Sequence, residues 1–154
     1  MQIMKSTSLI LVLLIGLASR AVAADTPPLA SPPTDAVWFD HAKVDDAFAK
    51  GLPLLMSSSY KIQASRRVMP GQAEVHASDT DIFFVTEGSA TIVTGGKTEG
   101  GKETGPGEIR GDKITGGTSR HLVKGDIFVV PAGVPHWFAA VDGTFVALVI
   151  KVTK

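Results

Sequence analysis

The chain has 154 residues, of which 44% are hydrophobic and 19% are charged, and its formal net charge is zero. This length is typical of one domain, and the composition excludes a disordered or collagen-like chain. The balanced charge argues against a nucleic-acid partner, and the absence of cysteine excludes disulfides and thiolate metal sites.

Residues 1–23 have the pattern of a secretory signal peptide. Lys5 supplies a positive charge, the apolar run Leu9–Ala18 follows, and the Ala-Val-Ala at 21–23 fits the small-residue cleavage rule. The run is shorter than the roughly 20 residues that a membrane span needs, although a retained anchor is the alternative. We therefore expect a periplasmic or secreted protein that begins at Ala24 and has no membrane contact after cleavage.

The next segment, residues 24–35, is rich in proline and predicts an extended linker. The folded domain is expected at 36–154, with its barrel core at 60–152. Ala36–Lys50 carries apolar side chains at helical spacing, which predicts a helix that ends at the following glycine. His41 lies on the apolar stripe of this helix, and we expect it to be packed.

The chain after this helix predicts short strands separated by turn signals. The candidates are Leu52–Met56, Tyr60–Met69, Ala73–Ala77, Asp81–Thr86, Ala90–Thr94, Ser119–Val123, Ile127–Val130, His136–Val141 and Thr144–Val152. This number and spacing of strands predicts an antiparallel sandwich or barrel, with jelly-roll closure as one option. The glycine-rich stretch Gly95–Gly107 predicts a mobile loop or the tip of a long hairpin.

Two histidines and two carboxylates form the candidate metal site. Glu74 and His76 lie two apart on one predicted strand and therefore point to the same face. Asp81 opens the next strand, and His136 follows a turn made rigid by Pro131 and its neighbours. Nitrogen and oxygen donors of this kind suit Fe, Mn, Zn or Ni.

Five further side chains are candidates for the substrate pocket. Alternation along the strand predicts that either Arg66 or Arg67 faces inward, where an arginine can hold a substrate carboxylate. A salt bridge at the barrel rim is the alternative role. Phe83 and Val85 share a strand face, and Phe138 shares the face of the histidine two residues before it, so all three are expected to line the pocket.

The second half of the chain resembles the cupin superfamily, whose second motif is Gly-x5-Pro-x-Gly-x2-His-x3-Asn. Gly125, Pro131, Gly133 and His136 match this motif at every spacing, and only the final asparagine is replaced, by Ala140. The resemblance covers about Tyr60–Val152 and implies a small, single-domain cupin of the all-β type. The implied fold is an antiparallel jelly-roll barrel with one N-terminal helix.

The first cupin motif is present in a degenerate form. His76 stands at its second histidine and Glu74 at its first, while Asp81 replaces the glutamate and precedes Gly88 by the expected spacing. Cupins bind their metal through these positions and the histidine of the second motif. The resemblance therefore implies Glu74, His76, Asp81 and His136 as ligands of a divalent metal ion, and it also implies a homodimer.

The function that follows is a metal-dependent cupin enzyme acting on a small, oxygen-rich molecule. Dioxygenation, decarboxylation, lyase and isomerase chemistry all occur in this superfamily, and the fold does not select among them. Asp81 or Glu74 is a candidate general base. The alternatives are a non-catalytic module that binds a small ligand or a metal, and a metal-free structural barrel.

Overall fold

The structure, a computed structural model, describes residues 29–154, so the predicted signal peptide and the start of the linker lie outside the described residues. The described residues form one helix and eleven strands. The elements are α1 (His41–Lys50), β1 (Pro53–Met56), β2 (Tyr60–Arg67), β3 (Ala73–His76), β4 (Asp79–Thr94), β5 (Lys97–Glu99), β6 (Lys102–Gly105), β7 (Glu108–Gly111), β8 (Lys113–Thr115), β9 (Thr118–Val123), β10 (Ile127–Val130) and β11 (His136–Thr153). Within 29–154, no helix is long and apolar enough to cross a membrane.

Helix α1 begins five residues later than the hydrophobic pattern predicts. Asp40 has an extended backbone, and its carboxylate accepts a 2.8 Å hydrogen bond from the backbone N–H of Lys43, which caps the helix at this point. The prediction of a packed His41 is wrong. Its side chain is 90% exposed and lies 3.0 Å from the carboxylate of Asp45, one helical turn away.

The strands pair in an antiparallel manner, and β11 lies at the centre of the larger sheet. Along one edge β11 pairs with β2, and along the other it pairs with β4, which in turn pairs with β9 and β10. The start of β11 also pairs with β3, which is followed by β7 and β6. The predicted all-β jelly roll with one N-terminal helix is confirmed.

Two of the long strands pass through positions at which the sequence predicted turns. β4 continues through Gly88, and β11 continues through Gly143 with shifts of register nearby. Gly88 has a φ of 71°, and a Cβ atom at this position would lie 1.9 Å from the carbonyl oxygen of Thr144. These glycines therefore bend continuous strands around the sheet instead of ending them.

The glycine-rich stretch, predicted as a mobile loop or the tip of a long hairpin, forms short strands and a hairpin between β6 and β7. It contains β5 and β6, and the chain then continues into β7, which pairs with β3 from Ala73↔Gly111 to His76↔Glu108. This pairing was not predicted, and it places Glu108 directly opposite a histidine of the candidate site.

The hydrophobic core lies along the inner faces of β4 and β11. The ring centroid of Phe138 is 5.6 Å from that of Phe83 and 5.3 Å from that of Phe145. Burial of one such side chain contributes roughly 1.5–3 kcal/mol to stability. This apolar cluster fills one end of the space inside the sheet. Polar side chains, including His76 and His136, occupy the other end.

Candidate functional site

The four predicted ligands lie on three neighbouring strands. Glu74 and His76 share one face of β3, His136 begins β11 directly opposite Glu74, and Asp81 lies on the inner face of β4. The turn before His136 is tied to β3, because the N–H of Gly133 donates a 2.7 Å hydrogen bond to the carbonyl of His76. The strand pairing and this turn together direct both imidazoles to one side.

The ligand atoms of Glu74, His76 and His136 lie close to one another. His76 Nε2 lies 3.5 Å from Glu74 Oε2, and His136 Nε2 lies 3.7 Å from the same oxygen. One ligand atom from each of Glu74, His76 and His136 lies within 4.8 Å of the other two. Donors bound to one ion at about 2.0–2.2 Å are separated by up to roughly twice that distance, so these three fit a divalent metal.

Asp81 is close to both imidazoles but is held by a lysine. Its Oδ2 lies 3.6 Å from His76 Nε2 and 3.7 Å from His136 Nε2. Lys151 Nζ donates hydrogen bonds of 2.6 Å and 2.5 Å to the two oxygens of Asp81, and it also lies 2.9 Å from His76 Nε2. The site therefore contains both the candidate metal ligands and the ammonium group of Lys151.

Both imidazoles are oriented through their Nδ1 atoms. His76 Nδ1 lies 2.6 Å from Glu108 Oε2, and His136 Nδ1 lies 3.3 Å from the carbonyl oxygen of Val134. When each Nδ1 carries the proton, it donates to these oxygens and leaves the lone pair of Nε2 directed into the site. This is the tautomer that a metal ligand needs.

Burial and charge act differently on the titratable groups. Burial lowers the pKa of His136 below its usual 6.5, outweighing the opposite effect of Asp81 and Glu74, so this imidazole is neutral at neutral pH. Burial alone would raise the pKa of Glu74, but the contact with His76 and the guanidinium groups of Arg110 and Arg67 hold it well below 4.5. Glu74 is therefore a carboxylate, as coordination requires.

The site opens into a cavity of about 770 Å³. Of the five predicted pocket residues, Arg67 and Phe83 line this cavity, whereas Arg66, Val85 and Phe138 do not. Arg66 is exposed because it alternates with Arg67 along β2. Val85 and Phe138 lie deeper, in the core, and the guanidinium of Arg67 is 4.5 Å from the ring centroid of Phe138.

Five charged residues of the cavity were missed by the sequence analysis. They are Lys61, Asp79, Glu108, Arg110 and Lys151. Strand alternation could have predicted an inward Lys151. Phe145, Ala147 and Val149 lie on the inner face of β11, and the next position on that face is Lys151. No such signal exists for Glu108 and Arg110, because the glycine-rich segment before them gave no indication of the strand pairing.

Comparisons with known proteins support the family and the fold. A family model described as Cupin matches residues 40–154. A Bacillus halodurans protein has a TM-score of 0.55 at 12% identity, covering 82% of this chain and 86% of its own. The hydroquinone 1,2-dioxygenase PnpCD, solved with Cd²⁺ and 4-hydroxybenzonitrile, has a TM-score of 0.53 at 16% identity, with coverages of 86% and 91%. The comparison with curated proteins gave no significant match.

Proposed function

Since the chain belongs to the cupin family, we propose that it is a divalent-metal-dependent enzyme that acts on a small, oxygen-rich molecule. The observation that carries the proposal is the convergence of Glu74, His76 and His136, whose ligand atoms lie within 4.8 Å of one another beside a cavity of about 770 Å³. Cavities of roughly 300–1,000 Å³ are typical of small-molecule sites.

Glu74, His76 and His136 would hold the metal, with Asp81 as a fourth donor or as a general base. Two imidazoles with carboxylates suit Fe, Mn, Zn or Ni, and such an ion supplies Lewis-acid or redox chemistry when it is bound. Glu108 and Val134 keep the Nδ1 protons away from the site, so that both Nε2 atoms face it.

The cavity wall favours a substrate that carries a carboxylate or several hydroxyl groups. Arg67 is partly buried, lines the cavity and lies 3.9 Å from Glu74. A guanidinium in this position can donate a charged hydrogen bond to a substrate oxygen. The reaction belongs to the dioxygenase, decarboxylase, lyase or isomerase types. Hydroquinone 1,2-dioxygenase PnpCD, which shares this fold, is a dioxygenase.

A non-catalytic cupin that binds a small ligand or a metal is the second candidate. The pairing of Lys151 with both oxygens of Asp81 favours it, because that carboxylate is then engaged and not free to accept a proton. Metal-dependent turnover in a screen of small carboxylates and polyols supports the enzyme. Ligand binding without turnover supports the module.

We also propose an exported homodimer. The pattern of residues 1–23 supports cleavage before Ala24 and a periplasmic or secreted location. The outer face of β4 and β10 carries exposed apolar side chains, namely Phe84 at 44%, Ile127 at 69% and Val129 at 50% exposure. Contiguous apolar surface of this kind is typical of a contact between protein copies.

Metal analysis of the purified mature protein tests the central proposal. After incubation with each of Fe(II), Mn²⁺, Zn²⁺ and Ni²⁺ and removal of free ion, we expect about one ion per chain for the best metal. His136→Ala should lose it. His121→Ala is the matched control, because that histidine is 55% exposed and lies outside the site. Equal metal content in wild type and His136→Ala contradicts the proposal.

A further inference from the structure

Lys151 lies in a row of charged side chains that crosses the sheet beside the candidate metal site. On β11 it is paired in register with Lys61 of β2 on one side and with Asp81 of β4 on the other. Its side chain is only 12% exposed. The ammonium group therefore lies inside the cavity, where its partners are Asp81 and His76.

The contact with His76 uses an atom that metal coordination also needs. An imidazole nitrogen has one lone pair, which points in one direction in the plane of the ring. Lys151 Nζ lies 2.9 Å from His76 Nε2, and when the ring proton is on Nδ1 the ammonium donates a hydrogen bond to that lone pair. A metal ion coordinated by the same nitrogen at about 2.0–2.1 Å would require the same lone pair. The two contacts exclude each other.

Electrostatic repulsion adds to this exclusion. An ammonium and a divalent cation within a few ångströms of each other repel strongly in a buried site, since the local dielectric constant is far below that of water. Asp81 screens part of this repulsion, but the ammonium then occupies the carboxylate that would otherwise face the ion.

We propose that Lys151 is a built-in competitor for the metal, which holds His76 and Asp81 by its ammonium group and must withdraw for a divalent ion to bind. This inference rests on the proposed metal site and adds a specificity-determining residue to it. The cavity of about 770 Å³ leaves room for the lysine side chain to move away from His76. Only an ion that binds the ligand set strongly displaces the ammonium, so the lysine sets the metal concentration at which the site fills.

The variant Lys151→Met, which keeps the length of the apolar stem, tests the proposal. Affinities for Zn²⁺ and Mn²⁺ are measured by competition with a chelator at one fixed pH. We expect the variant to bind the metal at least about tenfold more tightly than wild type. The hydrogen bond to a charged group that metal binding must break changes a binding constant by roughly one to two powers of ten.

Lys61→Met is the matched control. Lys61 forms an equivalent pair with Asp79, at 2.5 Å, in the same cavity, but its partner is not a candidate ligand. Its removal should leave the metal affinity within about twofold of wild type. Equal or weaker binding by Lys151→Met, with wild type binding metal, overturns the inference. Failure of both proteins to bind any metal overturns the proposed metal site itself.

A measurement on the wild-type protein covers the case in which Lys151→Met does not fold. Acetylation of lysine amines is followed by peptide mass spectrometry, without metal and at a Zn²⁺ concentration that saturates the protein. Withdrawal from His76 and Asp81 should raise the labelling of Lys151 severalfold relative to Lys61. An unchanged ratio at saturation overturns the inference, whereas a protein that Zn²⁺ and Mn²⁺ never saturate counts against the metal site.

Discussion

Glu108 Oε2 lies 2.6 Å from His76 Nδ1, and the two residues are directly opposed on the paired strands β7 and β3. A carboxylate in this position fixes the tautomer of an imidazole and increases the basicity of its other nitrogen. The role of Glu108 in the proposed site is therefore to orient a ligand without binding the metal itself.

Substitution of Glu108 by glutamine should weaken metal binding. The amide keeps the shape of the side chain but removes the charge that polarises His76, and loss of such a partner typically costs about 10–100-fold in metal affinity. Titration with Zn²⁺ or Mn²⁺ measures the effect. Glu87→Gln, an exposed position on β4, serves as the control and should bind as wild type does. An unaltered affinity in Glu108→Gln would show that His76 does not depend on this carboxylate.

Metal affinity should rise with pH. Burial lowers the pKa of His76, but the carboxylates of Glu74, Asp81 and Glu108 outweigh burial and the Lys151 ammonium, so the pKa lies above 6.5. Coordination needs the neutral imidazole, so binding should strengthen as the pH rises over the range above 6.5 and should release protons. Calorimetry in buffers of different ionisation enthalpy counts those protons. A constant affinity across this range is the contrary result.

Asp79 should stabilise the fold at neutral pH and lose this effect in acid. Burial alone would raise its pKa, but the hydrogen bonds from Lys61 and Thr153 outweigh burial and hold the pKa below 3.8. A carboxyl whose pKa is lower in the folded state contributes stability above its unfolded pKa of about 3.9, and this contribution disappears as the pH falls through the folded value. Asp79→Asn should therefore be less stable at pH 7 by about 1–3 kcal/mol.

The difference between wild type and Asp79→Asn should shrink as the pH falls from about 5 to 2. Urea unfolding at several pH values gives the two free energies of unfolding. A difference that stays constant down to pH 2 would mean that the lowered pKa of Asp79 makes no contribution to stability.

Gly88 and Gly143 provide a matched pair for the close approach of β4 and β11. Both have positive φ, of 71° and 73°, but an added Cβ meets the carbonyl oxygen of Thr144 at 1.9 Å only at Gly88, while nothing lies within 4 Å at Gly143. Gly143→Ala should lower the free energy of unfolding by about 1–2 kcal/mol, because alanine disfavours a positive φ. Gly88→Ala should lower it by at least about 1 kcal/mol more, because the two strands must also move apart.

Thermal and urea unfolding of both glycine variants measures this difference. Equal destabilisation would mean that the positive φ accounts for the whole effect and that β11 moves away from Gly88 at no measurable cost.

Local sequence was sufficient for the side chains whose positions depend on short-range geometry. Glu74 and His76 share a face because strand residues alternate, and His136 is aimed by the turn that begins at Pro131. The same alternation predicted an inward arginine, which is Arg67. The hydrophobic pattern predicted the end of helix α1 correctly but not its start. Asp40 caps the helix, so the helix begins at His41 and not at Ala36.

The sequence by itself thus determined the all-β class, which follows from strand periodicity and turn signals, and the cupin family, which follows from the resemblance of its motifs. Only the tertiary structure decided what surrounds His76. Lys151 is 75 positions away and Glu108 is 32 positions away, so their contacts depend on which strands pair and in which register. The pairing of β7 with β3 follows a glycine-rich segment with little hydrophobic pattern, and such long-range pairing is set by the packing of the whole sheet.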